Sequence, residues 1–197
     1  MSCWLWKDTL AIAEDYLSLC SAGTRPTPPP PSESAGAMRR LAQDMERQHN
    51  ARFHALAQTF LCQCGPDPCA SLRKVMEELV GDGQLNWGRV VSLFTFTGVL
   101  ARQLREKEGG ANHLGLDLGG DNKPGQGPGG SSRGLAETIA DYLGEEKKVW
   151  LLENGGWDGF CKFSCIAQEV SQDSSMKTAL FAAAGVGIAG LTFLLVR

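Results

Sequence analysis

The sequence has no cluster of basic residues. Its 19 lysines and arginines are scattered among 22 aspartates and glutamates, and the net charge is −3. Binding to the phosphates of a nucleic acid requires grouped cations, so we expect no nucleic-acid partner. A length of 197 residues, of which 43% are hydrophobic, is enough for one globular domain with a real core plus tails.

Catalytic signatures are also absent. His49, His54 and His113 have no obvious catalytic partners in sequence. The glycine-rich run at 119–132 is not preceded by a strand, and no Gly-Lys-Ser/Thr closes it, which excludes a phosphate-binding loop. We therefore predict a protein that is not an enzyme and that needs no cofactor.

The seven cysteines do not form a disulfide framework. Their number is odd, their spacings match no known scaffold, and the N-terminus lacks the pattern of a cleavable signal peptide. Cys62, Cys64 and Cys69 lack the spacing of a zinc site, so we expect no metal. These features predict a reducing location that faces the cytosol.

A helix that is apolar on all sides lies at the centre of the sequence. The preceding helix should end at Gly81 and Gly83, and Asn86 is placed to cap the next one. From Val90 to Leu100 the apolar residues then fall on every face of the cylinder. Such a helix must be buried all round, so the sequence predicts a central core helix at about 87–104.

Arg89 is unexpected in the first turn of that helix. A cation there opposes the partial positive charge of the helix N-terminus. Two interpretations are open, a solvated arginine beside a packing glycine at Gly88, or an arginine that binds an anion next to a surface where another helix docks.

Two motifs resemble one known family. ELVGDGQLNWGRVV, from Glu78 to Val91, is similar to the first homology motif of the Bcl-2 family of apoptosis regulators, and its NWGR core is specific. WLLENGGWDGFCKF, from Trp150 to Phe163, is similar to the second homology motif of that family. The chain is therefore identified as a Bcl-2 family member by resemblance.

Two weaker matches follow the same pattern. MRRLAQDMERQH resembles the third homology motif, with Met38 at the leucine position, Ala42 at the small-residue position and Gln43 where the family has aspartate. This departure argues against a chain whose own helix acts as a death ligand. AEDYLSLC, at 13–20, resembles the fourth homology motif.

Composition divides the chain into segments. We expect an amphipathic helix at 1–20, a flexible proline-rich linker at 21–33, a helical core at 34–166 and a polar hinge at 167–178. Within the core, 109–134 is rich in glycine and poor in large apolar residues, which predicts a disordered insertion.

The segment 179–196 carries no charged residue. As a helix it is long enough for about 27 Å of hydrocarbon, so we predict a transmembrane tail anchor rather than a buried core helix. The flanking charges of Lys177 and Arg197 do not choose between the mitochondrial outer membrane and the endoplasmic reticulum.

The resemblance implies an all-α fold, a bundle of about eight helices around the central hydrophobic helix, followed by the transmembrane helix. It also implies a hydrophobic groove that accepts the amphipathic helix of a partner. The family's groove positions fall on Met45, His49, Phe53, Leu56, Val75, Leu79, Asn86, Gly88, Arg89, Val91 and Phe96. In the second motif, Trp157, Phe160 and Phe163 are expected in the core or on the groove floor.

The resemblance further implies an anti-apoptotic regulator at an organelle membrane, whose partners are pro-apoptotic Bcl-2 family proteins and their ligand helices. Two alternatives remain. One is a pore-forming pro-apoptotic effector with the same fold. The other is an adaptor that regulates an organelle membrane protein, such as a calcium channel of the endoplasmic reticulum, through the first helix.

Overall fold

The structure, a computed structural model, describes the backbone of residues 3–22, 26–80, 85–113 and 128–170. Over these ranges the chain is all-α, as predicted, and contains seven α-helices and one π-helical turn, where about eight helices were expected. The elements are α1 (Cys3–Ser21), α2 (Glu33–Gln63), α3 (Pro68–Leu79), α4 (Trp87–His113), α5 (Pro128–Asp141), the π-helical turn (Tyr142–Glu146), α6 (Lys148–Glu153) and α7 (Gly156–Val170).

Helix α4 is the centre of the bundle, which confirms the prediction of a buried central helix. Every residue from Gly88 to Ala101 is buried. The helix packs against α2 on one side and against α1 and α5 on the others. At Gly98 the absence of a Cβ allows α1 to come close, because an added Cβ would lie 2.8 Å from the buried ring of Tyr16.

Three hydroxyl groups inside α4 would be costly to bury without partners. Each donates to the carbonyl one turn earlier: Ser92 to Gly88 at 2.9 Å, and Thr95 and Thr97 at 2.8 Å to Val91 and Leu93. The helix therefore satisfies its own polar groups and can be surrounded by apolar neighbours on all sides.

The ends of two helices follow the capping rules. Asp67 accepts hydrogen bonds from the backbone N–H groups of Cys69 (2.9 Å) and Ala70 (3.1 Å), and Pro68 occupies the first position of α3. Asn86 accepts from the backbone N–H of Arg89 at 2.9 Å, which confirms it as the cap of α4.

Several predicted boundaries differ from the structure. The predicted insertion at 109–134 is helical at both ends, because α4 continues to His113 and α5 begins at Pro128. The predicted hinge at 167–178 begins inside α7, which continues to Val170. Composition gives the approximate position of the insertion and the hinge. The neighbouring helices continue beyond their last apolar residues, so the boundaries differ.

The proline-rich segment lies against α2 over its described part. Arg39 donates to the carbonyl of Pro28 at 2.8 Å and forms a two-point ion pair with Asp15 on α1. Gly36 leaves room for Pro30 on the surface of α2. Arg39 therefore joins α1, α2 and the segment that was predicted to be a flexible spacer.

In the described part of the chain, no helix is both long enough and apolar enough to cross a membrane. The predicted tail anchor at 179–196 lies outside the described residues.

The turn between α6 and α7 requires glycine. Gly155 and Gly156 adopt φ values of 78° and 61°, in the left-handed region that other residues rarely adopt. Gly159 then donates its N–H to the carbonyl of Gly155 at 3.0 Å. This turn places Trp157 and Phe160 in the core, at 5% and 0% exposure.

Replacing Gly159 by alanine tests this turn. The new Cβ would lie 1.8 Å from the carbonyl oxygen of Asn154, so the backbone has to move. We expect the free energy of unfolding to fall by about 2–3 kcal/mol in urea titrations followed by circular dichroism. The control is Gly65→Ala, whose Cβ would have nothing within 4 Å and should change stability by less than about 0.5 kcal/mol. Equal effects of the two variants would contradict the close contact.

Candidate functional site between α2, α3 and α4

One face of α2 carries four of the predicted groove residues, spaced one helical turn apart. Met45, Phe53 and Leu56 are buried at 2%, 0% and 5% exposure, whereas His49 between them is partly exposed. The spacings of four and three residues place all four side chains on one stripe of the helix.

Helix α2 bends within this stripe. His49 has φ −124° and ψ 24°, outside the helical region, so Glu33–Gln63 consists of two helical segments that meet there. The bend allows both halves to contact α4. In the first half the sulfur of Met45 lies 3.4 Å from the hydroxyl oxygen of Ser92, and in the second half the rings of Phe60 and Phe96 meet edge to face, with 5.7 Å between their centroids.

The second wall of the site is α3. Val75 and Leu79 are buried at 7% and 5% exposure and belong to the same apolar cluster as the α2 residues. Within the described residues α3 packs closely against α5, whereas its backbone is not closely packed against α2. Helices α2 and α3 therefore share the apolar cluster through their side chains, and such contacts separate more easily than tightly packed backbones.

Arg89 connects α3 to α4. Its guanidinium is buried, with the residue at 4% exposure, and its Nη1 donates to the carbonyl of Leu79 at 3.0 Å. That carbonyl belongs to the last turn of α3, which carries the partial negative charge of a helix C-terminus. This contact explains why a cation is stable in the first turn of α4, and the interpretation as a solvated arginine is wrong.

The remaining predicted residues lie at the start of α4 and along its length. Asn86 is partly exposed, Gly88 is buried, and Val91 and Phe96 are buried at 2% and 0% exposure. The apolar members of the predicted set belong to one core cluster with α4, and Arg89 contacts the end of α3. The apolar members are covered, so in this structure they form a closed seam and not an open groove.

An aromatic cluster supports the site from the other side of α4. Trp87 lies 4.9 Å from Trp150 on α6 and 5.3 Å from Phe160 on α7, and Trp157 lies 6.0 Å from Trp87, between ring centroids. Phe163, which is partly buried, stacks on Phe160 at 6.3 Å. The second-motif residues are therefore core residues that hold the beginning of α4.

Sequence reasoning missed Trp87 and Trp150 as members of this cluster. The available signal was the position of Trp87, directly before Gly88 and Arg89 in the first motif, and of Trp150 at the start of the second motif. A tryptophan in each of two motifs that pack together indicates a shared core.

Comparison with known proteins agrees with this arrangement. The sequence profile of the family described as "Apoptosis regulator proteins, Bcl-2 family" matches residues 38–157, which include the whole first motif and the beginning of the second. The chain belongs to the Bcl-2 family.

Two curated relatives of this Bcl-2 family member illustrate the similarity. Anti-apoptotic protein NR13 of Gallus gallus is 40% identical over 98% of this chain and 97% of its own length. Bcl-2-like protein 10 of Homo sapiens is 29% identical over 81% of this chain and 76% of its own length.

Solved structures are also similar. The zebrafish pro-survival protein NRZ in a complex with a Bad BH3 segment is 56% identical, with a TM-score of 0.68, and the match covers 83% of this chain and 96% of that one. NRZ without a ligand is 55% identical, with a TM-score of 0.67, over 85% of this chain and 97% of that one.

The indole of Trp157 also joins α7 to α1 through a hydrogen bond. The contribution of this bond to the stability of the fold can be tested. The indole Nε1 donates to the hydroxyl of Thr9 at 3.0 Å, and that hydroxyl donates to the carbonyl of Leu5 at 2.7 Å. In a double-mutant cycle with Trp157→Phe and Thr9→Val, we expect a coupling energy of about 0.5–1.5 kcal/mol in the free energy of unfolding. Strictly additive effects of the two changes would show that this bond does not stabilise the fold.

Proposed function

We propose that this Bcl-2 family member is an anti-apoptotic regulator that binds the amphipathic death-motif helices of pro-apoptotic relatives between α2, α3 and α4. The observation that carries this proposal is a buried arginine held at the end of α3, beside an apolar cluster that α2 and α3 share, in a chain 56% identical to a pro-survival protein solved with a Bad BH3 segment.

Apolar burial supplies the affinity. Four apolar ligand side chains at about 1.5–3 kcal/mol each would give roughly 6–12 kcal/mol. Folding the disordered ligand removes about 2–5 kcal/mol or more. Because the seam is closed in the free protein, the ligand also replaces existing contacts of Phe53, Leu56 and Leu79, which lowers the net gain further.

Arg89 supplies recognition. In the free protein it donates to the carbonyl of Leu79, so its guanidinium is already positioned where α3 and α4 meet. A ligand aspartate that reaches this point would form a charge-assisted hydrogen bond, stronger than the one to the carbonyl. Such a pair contributes more to partner choice than to raw affinity.

The position of the third motif favours this function over that of a pore-forming effector. An effector of this family passes its own third-motif helix to a neighbour, whereas here Met38 and Ala42 are both buried at 0% exposure. Ion pairs also fasten this half of α2, from Arg39 to Asp15 on α1 and from Glu46 to Arg102 on α4, both at 2.5 Å. Gln43 in place of the family's aspartate supports the same conclusion.

The membrane location belongs to the same proposal. We infer that 179–196 anchors the chain in the mitochondrial outer membrane or the endoplasmic reticulum, with the helical bundle facing the cytosol, because this segment is uncharged and long enough as a helix. The anchor would keep the regulator on the surface where pro-apoptotic relatives act.

The binding proposal is tested with a fluorescent Bad BH3 peptide and the purified full-length chain. We expect a dissociation constant below about 1 μM, and weakening by about tenfold or more in Arg89→Ala, which equals about 1.4 kcal/mol. The control is Arg47→Ala, since Arg47 is exposed on α2 and pairs with Asp44 of the same helix. Absence of binding by the unaltered chain, or equal weakening in both variants, would contradict the proposal.

The anchor is tested in cells by alkaline extraction of membranes. The unaltered chain should remain in the membrane pellet. Ile188→Lys places a charge near the middle of the segment, at a cost of about 2.5–3.5 kcal/mol, and should move much of the protein into the supernatant. An equal distribution of the two proteins would count against a membrane-spanning tail.

A further inference from the structure

The bend of α2 has no cause in the local sequence. Sharp bends usually occur at proline or glycine, or where a group inserts into the helix, yet residues 46–52 contain neither proline nor glycine. The non-helical residue is His49, on the stripe of α2 that forms one wall of the proposed groove. The bend therefore places a titratable ring in the binding site, where the residues one turn away on either side are apolar.

One ring nitrogen of His49 lacks a hydrogen-bond partner. Its Nε2 is enclosed by protein and has no hydrogen-bond partner. His54 on the same helix differs, because its ring Nδ1 lies 3.3 Å from Nε2 of Gln103 on α4. An enclosed polar atom without a partner is unfavourable, and a ligand that supplies the partner removes that penalty.

The charges around His49 favour an anion as that partner. Burial lowers the pKa of His49, and the nearby Arg52 lowers it further. Between Trp87 and Gln103, α4 carries two charged side chains, and both have partners in the protein: Arg89 donates to Leu79 and Arg102 pairs with Glu46.

The charged residues of α3 do not change the balance of charge around His49. Lys74, Glu77 and Glu78 are exposed, and Arg73 pairs with Glu77 on α3 and with Glu146 beyond α5. On α2 itself Asp44 pairs with Arg47 and Glu46 pairs with Arg102. Arg52 is the charged residue that acts on His49, so the local field there is cationic. A carboxylate is the ligand group that fits both Arg52 and the unpartnered nitrogen.

We propose that His49 is a specificity-determining residue of the groove, which selects ligand helices that carry a carboxylate opposite the bend of α2. This inference rests on the proposed function and adds the chemistry of one ligand position to it. The carboxylate is a second one, separate from the aspartate that Arg89 would meet, because His49 lies on α2 and Arg89 lies where α3 meets α4.

The proposal has a defined pH dependence. In the free protein burial and Arg52 disfavour the protonated ring, whereas in the complex the ligand carboxylate favours it, so the pKa of His49 rises on binding. Binding then takes up a proton, and the affinity increases as the pH falls through the pKa of the complex towards the pKa of the free protein.

The experiment measures binding of the full-length chain to a Bad BH3 peptide between about pH 7.5 and about pH 6. We expect affinity to rise by roughly threefold or more over this interval, and the rise to vanish in His49→Gln, which keeps hydrogen-bonding atoms but cannot titrate. The rise in affinity should persist in His54→Gln, the matched control. In a series of peptides that each have one acidic residue replaced by its amide, one replacement should abolish the rise.

Titration of the histidine ring protons by NMR provides a measurement that does not depend on a variant. The pKa of His49 should increase when the peptide binds, and that of His54 should change little. Tight binding without any pH dependence, or an equal dependence in His49→Gln, would overturn the role of His49 and leave the groove intact. No binding at any pH would overturn the proposed function itself, and this inference with it.

Discussion

The burial of α4 from Gly88 to Ala101 is the constraint on which the rest of the fold depends. A helix with no exposed residue from Gly88 to Ala101 requires neighbours on every side, and the other helices supply them. The three internal hydroxyl bonds make this possible, because no polar group of the helix has to face water. The candidate site lies at the one end of α4 where polar residues, Asn86 and Arg89, enter the core.

The closed seam affects how much of the binding free energy comes from apolar contacts and how much partner choice depends on polar ones. A preformed open groove would expose apolar side chains to water, which is unfavourable in a free monomer. Here Phe53, Leu56, Val75 and Leu79 are already buried in the core cluster, so a ligand would gain only the difference between its contacts and theirs. Because the net free energy gained from apolar contacts is small, partner choice depends on the polar groups, which are few and fixed in position.

Local signals in the sequence predicted much of this structure. The cap at Asn86 and the burial of the central helix depend on residues close in sequence, and each was predicted from them. The position of the bend at His49 could not be predicted, because it arises where two halves of α2 both pack on α4. Likewise, Trp6 donates to Asp141 at 2.7 Å across 135 residues, a contact that no local pattern encodes.

The aromatic cluster gives the molecule an internal optical reporter. Three of its five tryptophans, Trp87, Trp150 and Trp157, lie within one group of touching rings. Trp87 is the first residue of α4, between the cap at Asn86 and Arg89, so a rearrangement at this end of the helix alters the surroundings of several indoles together. A structural change at the site would therefore alter the intrinsic tryptophan fluorescence of the protein, and neither partner would need a label.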